Sequence, residues 1–269
     1  MALVPFPSAT PGDDDDAELE DSAGKMSFLE HLDELRKRLI YIVYSLIAGC
    51  AVAYIFIGRI FDFIMRPMQE MLPHDAVGYG KLIYTAGAEP FMLYIKIGFI
   101  AGVFFASPLI LWQVWKFIAP GLYTHEKKFA IPFVLMSTIF FVTGGLFAHY
   151  IAFPWTWKFF ISFSTDYMVF IPKIDEAFAL YTKMLLGFGI IFEMPTLVFF
   201  LARMGVVTAG MLLRYAKYAV LVIFIVAAVV SPGTDMMSQL IMAIPMLGLY
   251  AISILIAFIF QKRRTPATE

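Results

Sequence analysis

Charge is scarce in this chain. Only 15% of its 269 residues are Asp, Glu, Lys or Arg, whereas 61% are hydrophobic and the mean hydropathy is +0.79. A soluble domain of this length needs far more polar surface, so that class is excluded. Cysteine is nearly absent: Cys50 stands alone, and no intramolecular disulfide can form. The histidines His31, His74, His125 and His149 have no ligand-like spacing. His125-Glu126-Lys127-Lys128-Phe129 is not the HExxH of a zinc-protease helix, and neither GxSxG nor a paired Ser/His signature occurs. An intramembrane enzyme would need such a nucleophile or metal set, so no catalytic role, cofactor or metal is expected, and no nucleic acid partner. Two-residue alternation is missing too. Long continuous apolar runs favour membrane helices over a barrel.

Six such runs are present, at about Leu39–Ile57, Phe91–Trp112, Phe129–Phe153, Phe178–Leu201, Tyr218–Val230 and Leu240–Phe260. No soluble domain fits between them. The expectation is an all-α integral membrane protein with one six-helix domain over 26–262. An acidic leader, 1–25, rich in Pro, Asp and small residues, is expected to be disordered, and 263–269 form a short tail. Most of the 20 lysines and arginines flank one side of these runs, around Arg36-Lys37-Arg38, Lys116, Lys127-Lys128, Arg214 and Lys262-Arg263-Arg264. Both termini are therefore expected to be cytoplasmic, with 58–90 and 154–177 facing out as loops. The fifth run is short, roughly 21 Å of helix between Lys217 and Pro232, so a thinned bilayer or an incomplete crossing is expected there. Pro108, Pro132, Pro195 and Pro245 interrupt several runs, and together they point to bent helices in a concave, cupped bundle.

The few polar residues inside or beside these runs are the candidate sites. Glu193 sits at mid-membrane, where an acid costs a few kcal/mol, and Pro195 frees the Ile191 carbonyl beside it. The pair makes a polar notch that suits a partner helix, a transport path or an internal hydrogen bond. Ser27 with Glu30 reads as a capping box that starts an amphipathic interfacial helix ahead of the first run. Glu34 on that helix either serves a ligand or pairs with Arg38 one turn on. Trp112–Lys128 reads as a compact aromatic loop turning at Pro120-Gly121. Glu126 there is open to a ligand role or to the favourable field of a helix N-terminus. Asp235 can cap the sixth helix or serve function, and Pro67 reads as a turn or kink in the first outward loop.

Four stretches resemble one family: FLEHLDELRKRL before the first run, WQVWKFIAPGLYTHEKK between the second and third, FGIIFEMP in the fourth and SPGTDMMSQLIMAIPM at the fifth and sixth. Together they are similar to TatC, the multispanning core of the twin-arginine protein translocase. The resemblance runs in order from about Met26 to Lys262 and leaves the acidic leader outside. It implies a bacterial inner-membrane receptor and scaffold for folded precursors that uses the proton motive force. TatB-like and TatA-like single-span proteins are the implied partners, within a multimeric complex. Glu34 and Glu126 match the family's two cytoplasmic glutamates that contact the consecutive arginines of a signal peptide, and Arg36 and Phe117 belong with them. Glu193 and Gln239 match the intramembrane partner site, and Pro67 and Asp235 match positions on the periplasmic side. One departure is His149, which stands where an aromatic residue is expected. The competing expectation from the residues alone is a proton-coupled transporter of a small solute, with Glu193 as its site.

Overall fold

The computed structural model describes residues 28–72, 81–118, 130–165, 167–168, 170–231 and 236–260. Glu126 and Asp235, the leader 1–25 and the tail 263–269 lie outside the described residues. Ten α-helices make up the described chain: α1 (Phe28–Ile55), α2 (Ile57–Gln69), α3 (Glu89–Ile118), α4 (Ala130–Phe147), α5 (Phe153–Ile161), α6 (Ile174–Ile191), α7 (Glu193–Arg203), α8 (Ala209–Arg214), α9 (Ala216–Val230) and α10 (Met236–Phe260). A π-helical turn, Ala148–Ala152, joins α4 to α5. Five stretches are long and apolar enough to cross a membrane: Glu30–Ile55, Glu89–Phe117, Ile131–Ile161, Ile174–Arg203 and Met236–Phe260. The expected fifth run is α9, only 15 residues. At roughly 22 Å it falls short of a hydrocarbon core about 30 Å thick.

Four local expectations are corrected. The segment before the first run is not a separate interfacial helix, because α1 is uninterrupted from Phe28 to Ile55. No proline or glycine occurs between Phe28 and Ala48 to break it. Trp112 to Phe117 do not form a loop; they complete α3, which has no helix-stopping residue after Pro108 until Pro120. The first outward segment begins with helix, not loop. Its Ile60, Ile64 and Met68 recur at helical spacing on the strongly amphipathic α2, and Pro67 is buried inside it. The ring costs α2 the bond that an N–H at position 67 would give to the Phe63 carbonyl, and the helix ends two residues later. Pro132 interrupts nothing, since it sits in the first turn of α4, where no intrahelical N–H bond is lost. Pro108 and Pro245 do lie inside helices, and the fourth run is broken at Phe192 ahead of Pro195.

Small residues set how the helices approach. Helices α1 and α3 run antiparallel and in close contact. A Cβ on Gly49 would lie 2.4 Å from the Gly102 carbonyl oxygen, and a Cβ on Gly102 would lie 2.5 Å from Cys50 Sγ. Further along, a Cβ on Gly98 would strike the Tyr54 ring at 2.6 Å. Backbones this close gain dispersion contacts that substitute for a hydrophobic driving force in lipid. The outer face of α1 is bare: Tyr44, Ile47 and Ile55 are 63%, 61% and 75% exposed. In a soluble protein that would be an aggregation surface; in a bilayer it is the lipid face. Helix α4 meets α6 through Gly144, whose Cβ would lie 2.4 Å from the Phe188 carbonyl oxygen.

The main core gathers Met68 of α2, Ile97 of α3, Phe153 and Trp157 of α5, Phe178 to Phe188 of α6, and Met242 and Met246 of α10. A second aromatic cluster, Trp115, Phe133 and Phe200, ties α3, α4 and α7 together at the other end of the bundle. At the α2 end, backbone bonds join Ile83 to Pro172 (3.3 Å) and Ile174 to Ile83 (2.8 Å). Lys96 of α3 pairs with Asp175 of α6 there. The π-turn carries His149 inward. Its ring stacks on Phe63 at 4.0 Å between centroids, filling the aromatic's place, and Nδ1 shares a 2.8 Å hydrogen bond with the Tyr181 hydroxyl.

Gly144→Ala is expected to cost about 1–3 kcal/mol, because backbone must move to admit the methyl. Gly248→Ala, which meets nothing within 4 Å on α10, is expected to be neutral or to stabilise by up to about 1 kcal/mol. Unfolding in detergent micelles compares the two; equal shifts would show that close approach is not what Gly144 provides. His149→Phe keeps the ring stack but leaves the buried Tyr181 hydroxyl without its partner, at a cost of about 1–3 kcal/mol. Adding Tyr181→Phe should recover most of that loss in the same assay.

Candidate functional site

The first candidate locus is built where α1 and α3 meet at their Glu34 and Phe117 ends. His31, Glu34 and Arg38 fall at i, i+3 and i+7, one stripe along α1, and Gln113 and Phe117 are one turn apart on α3. The stripes face each other. His31 stacks on Phe117 at 4.5 Å with an 18° interplanar angle. Arg38 Nη2 donates to Glu34 Oε1 at 2.9 Å, and Arg38 Nη1 reaches Gln113 Oε1 at 3.5 Å, a long contact at the limit of a hydrogen bond. The Glu34 and Arg38 side chains retain only 14% and 23% of their exposure.

The pairing is incomplete. Glu34 Oε2 and Arg38 Nε are both buried without a hydrogen-bond partner. A carboxylate offers about four acceptor sites, and this one uses a single oxygen. Glu34 therefore keeps acceptor capacity beyond the Arg38 bond, on an oxygen that the surrounding side chains cover. The helix spacing that predicts the Glu34–Arg38 pair is real, and it leaves acceptor capacity over. Arg36 is not part of the stripe: it lies two residues from Glu34, on the opposite side of α1, and is exposed. Phe117 is brought to the site; Glu126 lies outside the described residues. Gln113 and His31 were not among the expected residues. Nothing local marks them, because their roles come from contacts across 75 and 86 positions of sequence.

The second locus is the break in the fourth span. Phe192 ends α6, and Glu193 opens α7. Pro195 cannot donate to the Ile191 carbonyl, so the helix is interrupted there, as the sequence implies. Glu193 is half-buried, and its Oε1 is buried without a hydrogen-bond partner. Ser137 of α4 is near enough to influence the carboxyl. Yet Ser137 Oγ, like Thr196 Oγ1 one turn on from Glu193, makes no hydrogen bond of ordinary geometry. Three polar atoms thus share a region of apolar helices with unused capacity, an arrangement that is costly unless something completes it.

Gln239 does not join that notch through a hydrogen bond. Its Nε2 donates to the Phe224 carbonyl of α9 at 2.8 Å and clamps α9 to α10. Pro67 is in the α2 core contact, and Asp235 is outside the described residues. Among the described residues, no group of three or more His, Cys, Asp or Glu is placed to hold a metal ion.

Comparison with known proteins agrees along nearly the whole chain. The family model for Sec-independent protein translocase protein (TatC) matches residues 30–245, a range that includes Glu34, Phe117, Glu126, Glu193 and Gln239. The TatC of Koribacter versatilis is 44% identical over 248 residues, covering 91% of each chain. That of Helicobacter pylori strain J99 is 39% identical over 227 residues, covering 84% of this chain and 87% of the relative. That of Aquifex aeolicus is 35% identical over 241 residues, covering 89% and 98%. Two crystal structures described as the twin-arginine translocase receptor TatC, one of them in DDM, superpose with TM-scores of 0.73 and 0.75 at 36% identity. Each covers 85% of this chain and at least 98% of the solved one. With that extent of match in sequence and in fold, the chain belongs to the TatC family of Sec-independent protein translocase proteins.

Proposed function

We propose that this chain is the receptor and scaffold subunit of a bacterial twin-arginine translocase. It binds signal peptides with consecutive arginines and recruits TatB-like and TatA-like single-span partners to move folded proteins with the proton motive force. It lies in the inner membrane with six crossings, α9 being the short one, and with both termini cytoplasmic. The observation that carries the reading is the half-used Glu34 carboxylate beside the His31–Phe117 stack. Once the peptide displaces the side chains that cover it, that oxygen gives a guanidinium an acceptor edge with an aromatic face beside it. Glu126 supplies the second acid in this proposal, and Arg36 serves the peptide from the exposed side of α1. The fit of an arginine pair rests on its fork: a lysine keeps the charge but not the two parallel donors.

The Glu193 notch, in the same proposal, receives a polar group from a partner helix, which would complete Ser137, Glu193 and Thr196 together. Gln239 supports it by fixing the α9–α10 hairpin, while Pro67 and Asp235 shape the periplasmic side. No observation favours a solute transporter. The cavity within the bundle, about 200 Å³, is walled by Ile60, Phe63, Ile100, Phe104 and Leu185, with His149 and Tyr181 already bonded to each other.

The purified protein should bind a twin-arginine signal peptide about tenfold or more tightly than its twin-lysine version, the scale of a charge-assisted hydrogen bond. Replacing Glu34 and Glu126 together by Ala should erase that preference in a fluorescence anisotropy titration. Equal affinities for the two peptides would sink the receptor reading of Glu34. Glu193→Ala should leave this titration unchanged and weaken site-specific crosslinking to the single-span partners. Persistence of those crosslinks would remove Glu193 from the partner site.

A further inference from the structure

The ion pair between Glu34 and Arg38 is only half made. Arg38 Nη2 donates to Glu34 Oε1 at 2.9 Å, and that is its one hydrogen bond to the acid. Glu34 Oε2 is buried without a partner, and so is Arg38 Nε. The pair thus leaves an acceptor and a donor unused on its own two members. A guanidinium that meets a carboxylate with two parallel N–H groups satisfies both oxygens, and that forked form is the strong one. Arg38 makes the single-pronged form instead. Its other arm, Nη1, is drawn toward Gln113 Oε1 of α3 at 3.5 Å. One guanidinium is shared between acceptors on two helices and completes neither.

A strut gains nothing from this arrangement. Each unused buried atom carries its desolvation cost, and a pair that served only to brace α1 would be stabilised by closing its fork. The α1–α3 contact is also held without it, by the close approach at Gly49 and Gly102 and by the His31–Phe117 stack. The same features suit a placeholder. The two oxygens of Glu34 share one carbon, so a guanidinium on Oε1 is an immediate neighbour of Oε2 and belongs to its cover. Exchange for a second guanidinium breaks one single-pronged bond and forms a forked one. Arg38 also has a second acceptor within reach, since Gln113 already stands at the limit of hydrogen-bond distance.

We infer that Arg38 is a built-in stand-in for the arginine of the signal peptide. In the empty receptor it holds Glu34 and covers the free oxygen. An arriving arginine takes both Glu34 oxygens, and Arg38 moves onto Gln113. The exchange sets a threshold. A lysine brings a point charge without a fork, so it returns no more than it displaces. This inference rests on the reading of Glu34 as an acceptor for a peptide arginine.

The test titrates the full chain in mild detergent with fluorescent twin-arginine and twin-lysine signal peptides, read by anisotropy at physiological salt. Arg38→Met keeps the apolar stem and removes the donors. It should bind the twin-arginine peptide about threefold or more tightly than the wild type does, the scale of a part-exposed ion pair, with a smaller gain for the twin-lysine peptide. Arg38→Lys rebuilds a single-pronged bond and should stay near the wild type. Lys37→Gln removes the same charge one residue away on an exposed side chain, and should change little because salt screens exposed charges. Weaker or unchanged twin-arginine binding in Arg38→Met overturns the inference. So does an equal gain for both peptides, or an equal gain in Lys37→Gln. If Arg38→Met does not fold, Arg38→Gln carries the same test, with a gain of the same sign expected. Glu34→Gln separates the two claims. Unchanged twin-arginine binding in Glu34→Gln alone would remove the receptor reading of Glu34. Weakened binding there, with no gain in Arg38→Met, would leave that reading in place and remove only the stand-in.

Discussion

Hydrocarbon offers no hydrogen bonds, and that constraint orders this molecule. Inside a bilayer each backbone carbonyl and N–H must be satisfied within its own helix, so continuous helix is the default and every interruption is expensive. The spans here are interrupted at few places: the Phe56 joint before α2, the π-turn at Ala148–Ala152 and the Phe192 break before Pro195. Two of these three carry a titratable side chain that is buried or half-buried. The π-turn presents His149 to Tyr181, and the Phe192 break presents Glu193 beside Ser137.

The two interruptions are completed differently. His149 and Tyr181 satisfy each other and form part of the core, so that interruption is structural. Glu193, Ser137 and Thr196 retain unused atoms, as does Glu34 at the far end of α1. Buried capacity that the chain itself does not use separates a site from a strut more sharply than exposure or charge alone.

Much of this was legible in the sequence because it depends on local rules. Long apolar runs gave the helices, an acid two residues before a proline gave the Glu193 break, and i,i+4 spacing gave the Glu34–Arg38 pair. The shortness of α9 follows from the positions of Lys217 and Pro232. The illegible parts are pairwise and distant. Gln113 reaches Arg38 and His31 meets Phe117 only because α1 and α3 lie antiparallel in one register, which no local pattern encodes. Helix α2 was hidden for another reason: its apolar face is legible at helical spacing, but Pro67 reads as a turn or kink, and local rules do not show that packing of α2 against the core holds the helix through it.

That register has a mechanical consequence. The α1–α3 contact is tight at Gly49 and Gly102, where Gly49 meets the Gly102 carbonyl and Cys50 packs against Gly102. From Gly49 to Glu34 is 15 residues, and from Gly102 to Phe117 is 15 residues, so each arm is roughly 22 Å of helix, the α3 arm passing through Pro108. The pair works as a calliper with a backbone pivot and two jaws of equal length. The width of the jaws that hold Glu34 opposite Phe117 is therefore written in two residues that touch neither, and a single methyl added at the pivot is magnified along both arms.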